Sequence, residues 1–245
     1  MNAGLQRFCV WCGPAMILLF FGGFAIAGFL PPPSPMEPVE EVARRYQEDA
    51  TQIRIGMEMV FFAGALCTPW IMAFGLQLKR AEGGQAVVAS AQTGLGVLLP
   101  LVFIIPVYFF MVATYRTDRP ASEVRLLNDL GWLPFIGLVY TFVVQIALAG
   151  VAVLSDKRAE PVFPRWFGYY CFLAASLAIP SGFNVFFLSG PLAWDGFIAW
   201  WLLAVDFGIW AIVMTALTLR AITNQQREQE QAPSSTGHEP TVPVH

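Results

Sequence analysis

Charge and histidine are both scarce in this chain, and each scarcity excludes something. Charged residues make up 13% of the 245 positions, where soluble domains carry about 25%. The only histidines, His238 and His245, fall in the polar C-terminal stretch, so no imidazole can ligate a metal or haem within the hydrophobic part. Also missing are a Gly-rich loop ending in Lys-Ser/Thr and a Gly-x-Ser-x-Gly elbow, the sequence signs of phosphate binding and of a serine nucleophile. The net charge of −3 builds no basic field for nucleic acid. Four cysteines include a lone Cys9-Val10-Trp11-Cys12. A zinc site would need two more ligands and none is evident, so the pair reads as two small apolar side chains, and Cys67 and Cys171 as packing residues. No cofactor is expected.

What the chain has in abundance is hydrophobic residues, 56% of the total, gathered into the gaps between charges. A helix needs about 20 mostly apolar residues to cross the hydrocarbon layer. Six such windows occur, about Cys9–Leu30, Ile55–Leu78, Val87–Val112, Trp132–Leu154, Trp166–Phe187 and Gly196–Leu219. The runs do not alternate as barrel strands would, and lipid leaves the backbone no partner but its own helix. The fold class that follows is all-α: a polytopic bundle of six spans over residues 1–222, with a C-terminal tail. Trp11, Trp132, Trp166 and Trp194 fall at the predicted span ends, where amphipathic rings favour the headgroup layer.

Lys and Arg near the span ends set the orientation. Arg7, Lys79, Arg80, Lys157, Arg158, Arg165, Arg220 and Arg227 collect on one side, against Arg44, Arg45, Arg54, Arg116, Arg119 and Arg125 on the other. The short loops at Lys79–Glu82 and Asp156–Arg165 put both termini in the cytoplasm, in a bacterial inner membrane. Arg7, the first apolar run and Ala25-Ile26-Ala27 also resemble a signal peptide, but the run is span-length, longer than the usual h-region of about 7–15 residues. The first helix is therefore expected to be retained; cleavage would leave five spans.

Two external amphipathic helices are expected. The first follows Pro31-Pro32-Pro33-Ser34-Pro35, with Val39, Val42, Tyr46, Ala50 and Ile53 at helical spacing. The second begins at Pro120, with Val124, Leu127 and Leu130 as its stripe. Such helices rest on headgroups or on their own bundle, or fold over its mouth as a lid. Lys79-Arg80-Ala81-Glu82 is echoed by Lys157-Arg158-Ala159-Glu160, a trace that parallel repeats would leave, although a shared need for positive charge accounts for it equally well. From Thr223 to His245 the composition is rich in Gln, Glu, Ser and Pro and free of aromatics, so disorder is expected there.

Polar residues within the spans carry the functional reading. A carboxylate at bilayer depth costs about 2.5–3.5 kcal/mol on insertion scales, so it faces the bundle interior, finds a partner or is protonated. Asp206 stands about ten residues into the sixth span, near the midplane. Gln145 reaches a similar depth in the fourth, with Thr141 one turn away. Glu58 lies about one turn below the outer surface, and Asn184 and Ser181 at similar depth in the fifth span. There Pro180 leaves the Ser176 carbonyl without its usual donor, and Gly182 loosens the same turn. The site expected from these residues is one cavity open to the outside, with Asp206 and Gln145 as a midplane layer and Glu58, Asn184 and Ser181 as an outer layer. The structural alternative is that Asp206 and Gln145 bond to each other and glue the bundle.

The stretch Glu160-Pro161-Val162-Phe163-Pro164-Arg165-Trp166-Phe167-Gly168-Tyr169 carries a resemblance. With the Pro-rich first loop and Arg54–Gly56 opening the second span, it resembles uncharacterised six-helix integral membrane proteins of bacteria, particularly actinobacteria. The resemblance implies the topology and brings no activity or site residue. Function is then read from the spans: a membrane module that binds or moves a hydrophobic or weakly polar small molecule around Asp206. In that role the chain would form a homo-oligomer through small-residue faces such as Gly23/Ala27 and Ala174/Ala178. A different class, a non-catalytic accessory subunit held by a membrane partner, fits the same composition. An intramembrane enzyme with Asp206 or Glu58 as general acid on a lipid-like substrate lacks a histidine, a paired nucleophile and metal ligands.

Overall fold

A computed structural model describes residues 2–231. The apolar runs are helical, as the absence of any other hydrogen-bond partner in lipid requires. The helices are α1 (Ala3–Ile26), α2 (Val39–Glu48), α3 (Ala50–Glu82), α4 (Val87–Tyr115), α5 (Ala121–Gly137), α6 (Tyr140–Ser155), α7 (Arg165–Ala178) and α8 (Leu203–Gln231). A 3₁₀ segment, Ile179–Phe186, and a π-helical segment, Phe197–Leu202, lie between α7 and α8. No strand occurs among the described residues. Six stretches are long and apolar enough to cross a membrane: Ala3–Ile26, Ala50–Glu82, Val87–Tyr115, Ala121–Ser155, Arg165–Phe186 and Phe197–Gln231. The all-α bundle expected from the charge gaps is the fold. Its lower end is where α1 begins and α3, α6 and α8 finish; its upper end carries α2, the start of α5 and the connection through residues 187–196.

Several boundaries differ from expectation for identifiable reasons. The second external helix is not separate, because α5 runs unbroken from Ala121 past Trp132 to Gly137. The turn falls instead at Leu138 and Val139, just after Pro134, whose ring denies its helix one bond. The tail expected to be disordered from Thr223 is helical to Gln231; residues 232–245, with both histidines, lie outside the described residues. At Pro180 the expected unwinding occurs, the chain passing from α to 3₁₀ at Ile179.

α1 lies against α3 at van der Waals limits. A Cβ at Gly23 would fall 2.4 Å from the Gly56 carbonyl oxygen, and one at Gly56 would fall 2.2 Å from that of Gly23. Ala27 joins this seam, and Ala174 and Ala178 are fully buried within the chain. The small-residue faces expected to serve an oligomer are thus occupied inside one protomer.

Aromatic residues build the core in two clusters. The lower one joins Trp70, Phe74, Phe163, Phe167 and Trp210, mostly edge to face, with Phe74 and Phe163 centroids 5.6 Å apart. The upper one centres on Trp132, whose ring lies 5.2 Å from Phe110, 5.4 Å from Phe29 and 5.7 Å from Trp200. Trp132 is therefore a core residue and not the interfacial ring expected. Trp194 is also buried, its indole N–H donating to the Pro33 carbonyl at 2.8 Å. Trp11 and Trp166 are exposed, as interfacial rings would be.

Polar contacts close the two ends. Above, α2 rests on its own bundle against α5, and Tyr46 donates to Asn128 Oδ1 at 3.0 Å. Below, Gln77 Nε2 donates to Gln6 at 2.8 Å and to Gln225 at 2.9 Å, while Arg80 reaches Gln77, the Ala221 carbonyl and Glu228. Arg7 adds bonds to Thr223 and Gln226, which is why α8 stays ordered beyond the span. The two Lys-Arg-Ala-Glu stretches are not equivalent. Glu82 accepts from the Val88 and Ala89 N–H groups and caps α4 after a turn whose Gly83 and Gly84 sit at φ +69° and +51°. In the other stretch Arg158 bonds Asp156 and the Arg80 carbonyl.

Candidate functional site

Where the two aromatic clusters meet, the helices do not close completely. A cavity of about 110 Å³ lies between α1, α4, the α5–α6 turn and the π segment leading into α8. α1 supplies Met16, Phe20 and Phe21; α4 supplies Leu99, Val102 and Phe103. Phe135, Ile136, Val139 and Phe142 come from the α5–α6 turn, and Trp200, Leu203, Ala204 and Phe207 from the start of the last span. The site therefore depends on the turn at Leu138–Val139 and on the π segment: a straight α5–α6 or an unwidened α8 would present other residues. Small-molecule pockets are typically about 300–1,000 Å³. An apolar hole of roughly 150 Å³ stays dry and takes benzene-sized guests, so this one suits a segment of hydrocarbon chain. No titratable side chain lines it, so it offers dispersion and apolar contact and no acid or base.

The five residues expected to form a site are dispersed around this cavity without lining it. Gln145 is fully buried on α6, beside Gly96 of α4 and Ile71 of α3, and neither its Oε1 nor its Nε2 has a hydrogen-bond partner. Asp206, 5% exposed, lies near Tyr170 of α7, one turn from the core residue Trp210, and makes no hydrogen bond among the described residues. The Asp206–Gln145 bond offered as bundle glue is thus not formed. Ser181 is buried with its hydroxyl unpartnered. Asn184 Nδ2 donates to the Leu133 carbonyl at 3.1 Å and the side chain packs on Gly137, its Oδ1 unpaired. Glu58 faces outward, exposed on α3. It does not join Asn184 and Ser181, because α3 turns its Gly56, Met57 and Val60 inward and Glu58 away.

The unpartnered atoms of Gln145, Ser181, Asn184 and Asp206 are each enclosed by protein, so no shared polar chamber connects them. The polar residues of the spans do not line the opening, which is made of Phe20, Phe103, Phe135, Trp200 and Phe207. The signal available for these was the aromatic load, 21 Phe and 8 Trp, which suits lipid-facing helices equally. Compared with known protein families, with curated proteins and with solved structures, the chain matches none.

Proposed function

We propose that the protein is a multi-pass protein of a bacterial cytoplasmic membrane that holds a hydrophobic chain, such as a lipid acyl or isoprenoid segment, in the apolar cavity. The reading rests on the aromatic lining between α1, α4, α5–α6 and α8. Its size and complete lack of titratable groups favour a saturated or polyene chain over a polar solute. Binding is favoured over passage across the membrane, since the midplane polar groups are enclosed and line no path. With this reading we keep both termini in the cytoplasm, from the Lys/Arg distribution, and the resemblance to uncharacterised six-helix actinobacterial proteins.

The test fills the cavity. Ala204→Phe adds a ring where Ala204 lines the opening. Native mass spectrometry of the full chain in mild detergent, followed by solvent extraction, should find a bound apolar molecule in the wild type. That molecule should be lost from Ala204→Phe while the melting temperature stays level or rises. Equal retention by the folded variant would overturn the proposal.

A further inference from the structure

Arg54 and Glu58 lie one turn apart on an exposed face of α3, at the edge of a shallow apolar groove lined by Leu19 of α1 and by Met59 with the exposed Ile55 and Phe62 of α3. The two could pair with each other and do not. Arg54 turns to α4, its Nε donating to Thr114 Oγ1 at 3.0 Å and its Nη2 to the Thr114 carbonyl, which leaves Nη1 unused. Glu58 has no cationic partner among the described residues.

Their height matters. Twenty-one residues of helix from Lys79 to Glu58 span about 32 Å at 1.5 Å per residue, and the hydrocarbon core is about 30 Å thick. With Lys79 among the headgroups of one leaflet, Glu58 stands at the hydrocarbon edge of the other. Side chains lean toward the N-terminus of their helix, which for α3 is that same surface, so the Glu58 carboxylate rises toward the level of Arg54. A fixed cation and an unpaired anion then flank an apolar groove at phosphate height.

We propose that this groove is a binding site for a zwitterionic phospholipid with a primary amine, of the phosphatidylethanolamine type. The phosphate takes Arg54 Nη1, the ammonium donates to Glu58, and one acyl chain lies along Leu19, Met59 and Phe62. Charge complementarity selects this headgroup. A choline has no N–H to give Glu58, and a glycerol headgroup brings a net negative charge to the carboxylate.

Full-length protein in mild detergent is titrated with phosphatidylethanolamine, phosphatidylcholine and phosphatidylglycerol of identical chains, and bound lipid is counted by native mass spectrometry. The amine lipid should be retained about tenfold over the choline lipid, the ratio that one charge-assisted hydrogen bond of about 1.4 kcal/mol carries. Glu58→Gln should abolish that preference, and Glu58→Asp should restore part of it. Arg54→Gln should weaken all three lipids together. Equal retention of amine and choline lipids, a preference for the glycerol lipid, or a preference that survives Glu58→Gln would each overturn the site. If Arg54→Gln fails to fold through loss of Thr114, the Glu58 variants and the lipid comparison decide alone.

Discussion

Asp156 and Asp206 are buried to the same degree, each 5% exposed, at two depths of one bundle. Asp156, just past α6 at the lower end, accepts from the backbone N–H groups of Arg158 and Val162 and from Nε and Nη2 of Arg158. Asp206, a full span-half higher, accepts nothing among the described residues. Gln77 and Gln145 repeat the contrast: the first ties Gln6, Gln225 and Arg80 together, while both polar atoms of the second are orphaned. Equal burial therefore does not mean equal role. At the helix ends, loop N–H groups and long polar side chains from neighbouring helices converge, and a buried acid or amide is paired. In the middle the neighbours are mostly apolar or aromatic, even Tyr170 near Asp206 forms no bond to it, and the same group keeps its desolvation cost.

The sharpest way to break this contrast is Asp156→Ala. It removes the acceptor of four N–H groups and should cost about 3 kcal/mol, read as a lower thermal or denaturant midpoint in mild detergent. A loss below about 1 kcal/mol would mean that solvent replaces those bonds. Gln77→Leu should follow at about 2 kcal/mol, since Gln6 and Gln225 lose their donor. Gln145→Met and Asp206→Asn should leave the midpoint within about 0.5 kcal/mol of wild type or raise it, because neither change breaks a bond present in the structure. A fall matching that of Gln77→Leu would reveal a partner for these groups and restore the midplane reading.

The smallest effect concerns pH. Burial by itself would raise the pKa of Asp156, but the bonds from Arg158 and Val162 outweigh it and hold the carboxyl below its ordinary value. A lowered native pKa stabilises fully above the unfolded carboxylate value, and that stabilisation fades as pH falls through it to the native value. The midpoint of the wild type should therefore drop below about pH 4. Asp156→Asn should begin lower and change less over the same window.

The spans could be read from charge gaps alone, because a charge inside lipid is costly wherever the neighbours stand. Pro180 marked a break in the same way, but Pro14, Pro69, Pro100 and Pro106 lie inside unbroken helices, so the missing N–H names a candidate and the packing around it decides. The facing of Trp132 and Glu58 could not be read this way. Trp132 lies at the edge of its apolar window, but α5 begins eleven residues earlier and carries the ring into the core. Glu58 faces outward because Gly56 must meet Gly23, and that seam fixes the rotation of α3. The lower network was equally hidden: Gln6, Gln77 and Gln225 are 71 and 148 residues apart along the chain.

Class and span number were settled by local chemistry, because hydropathy and charge act residue by residue. Which face each helix turns inward, and hence where an opening remains, was decided by contacts between helices. A backbone seam two glycines wide, a turn after Pro134 and a widened π segment set the rotations. Those rotations put aromatic rings around the cavity, close protein over Asp206 and Gln145, and leave Glu58 on the outer surface.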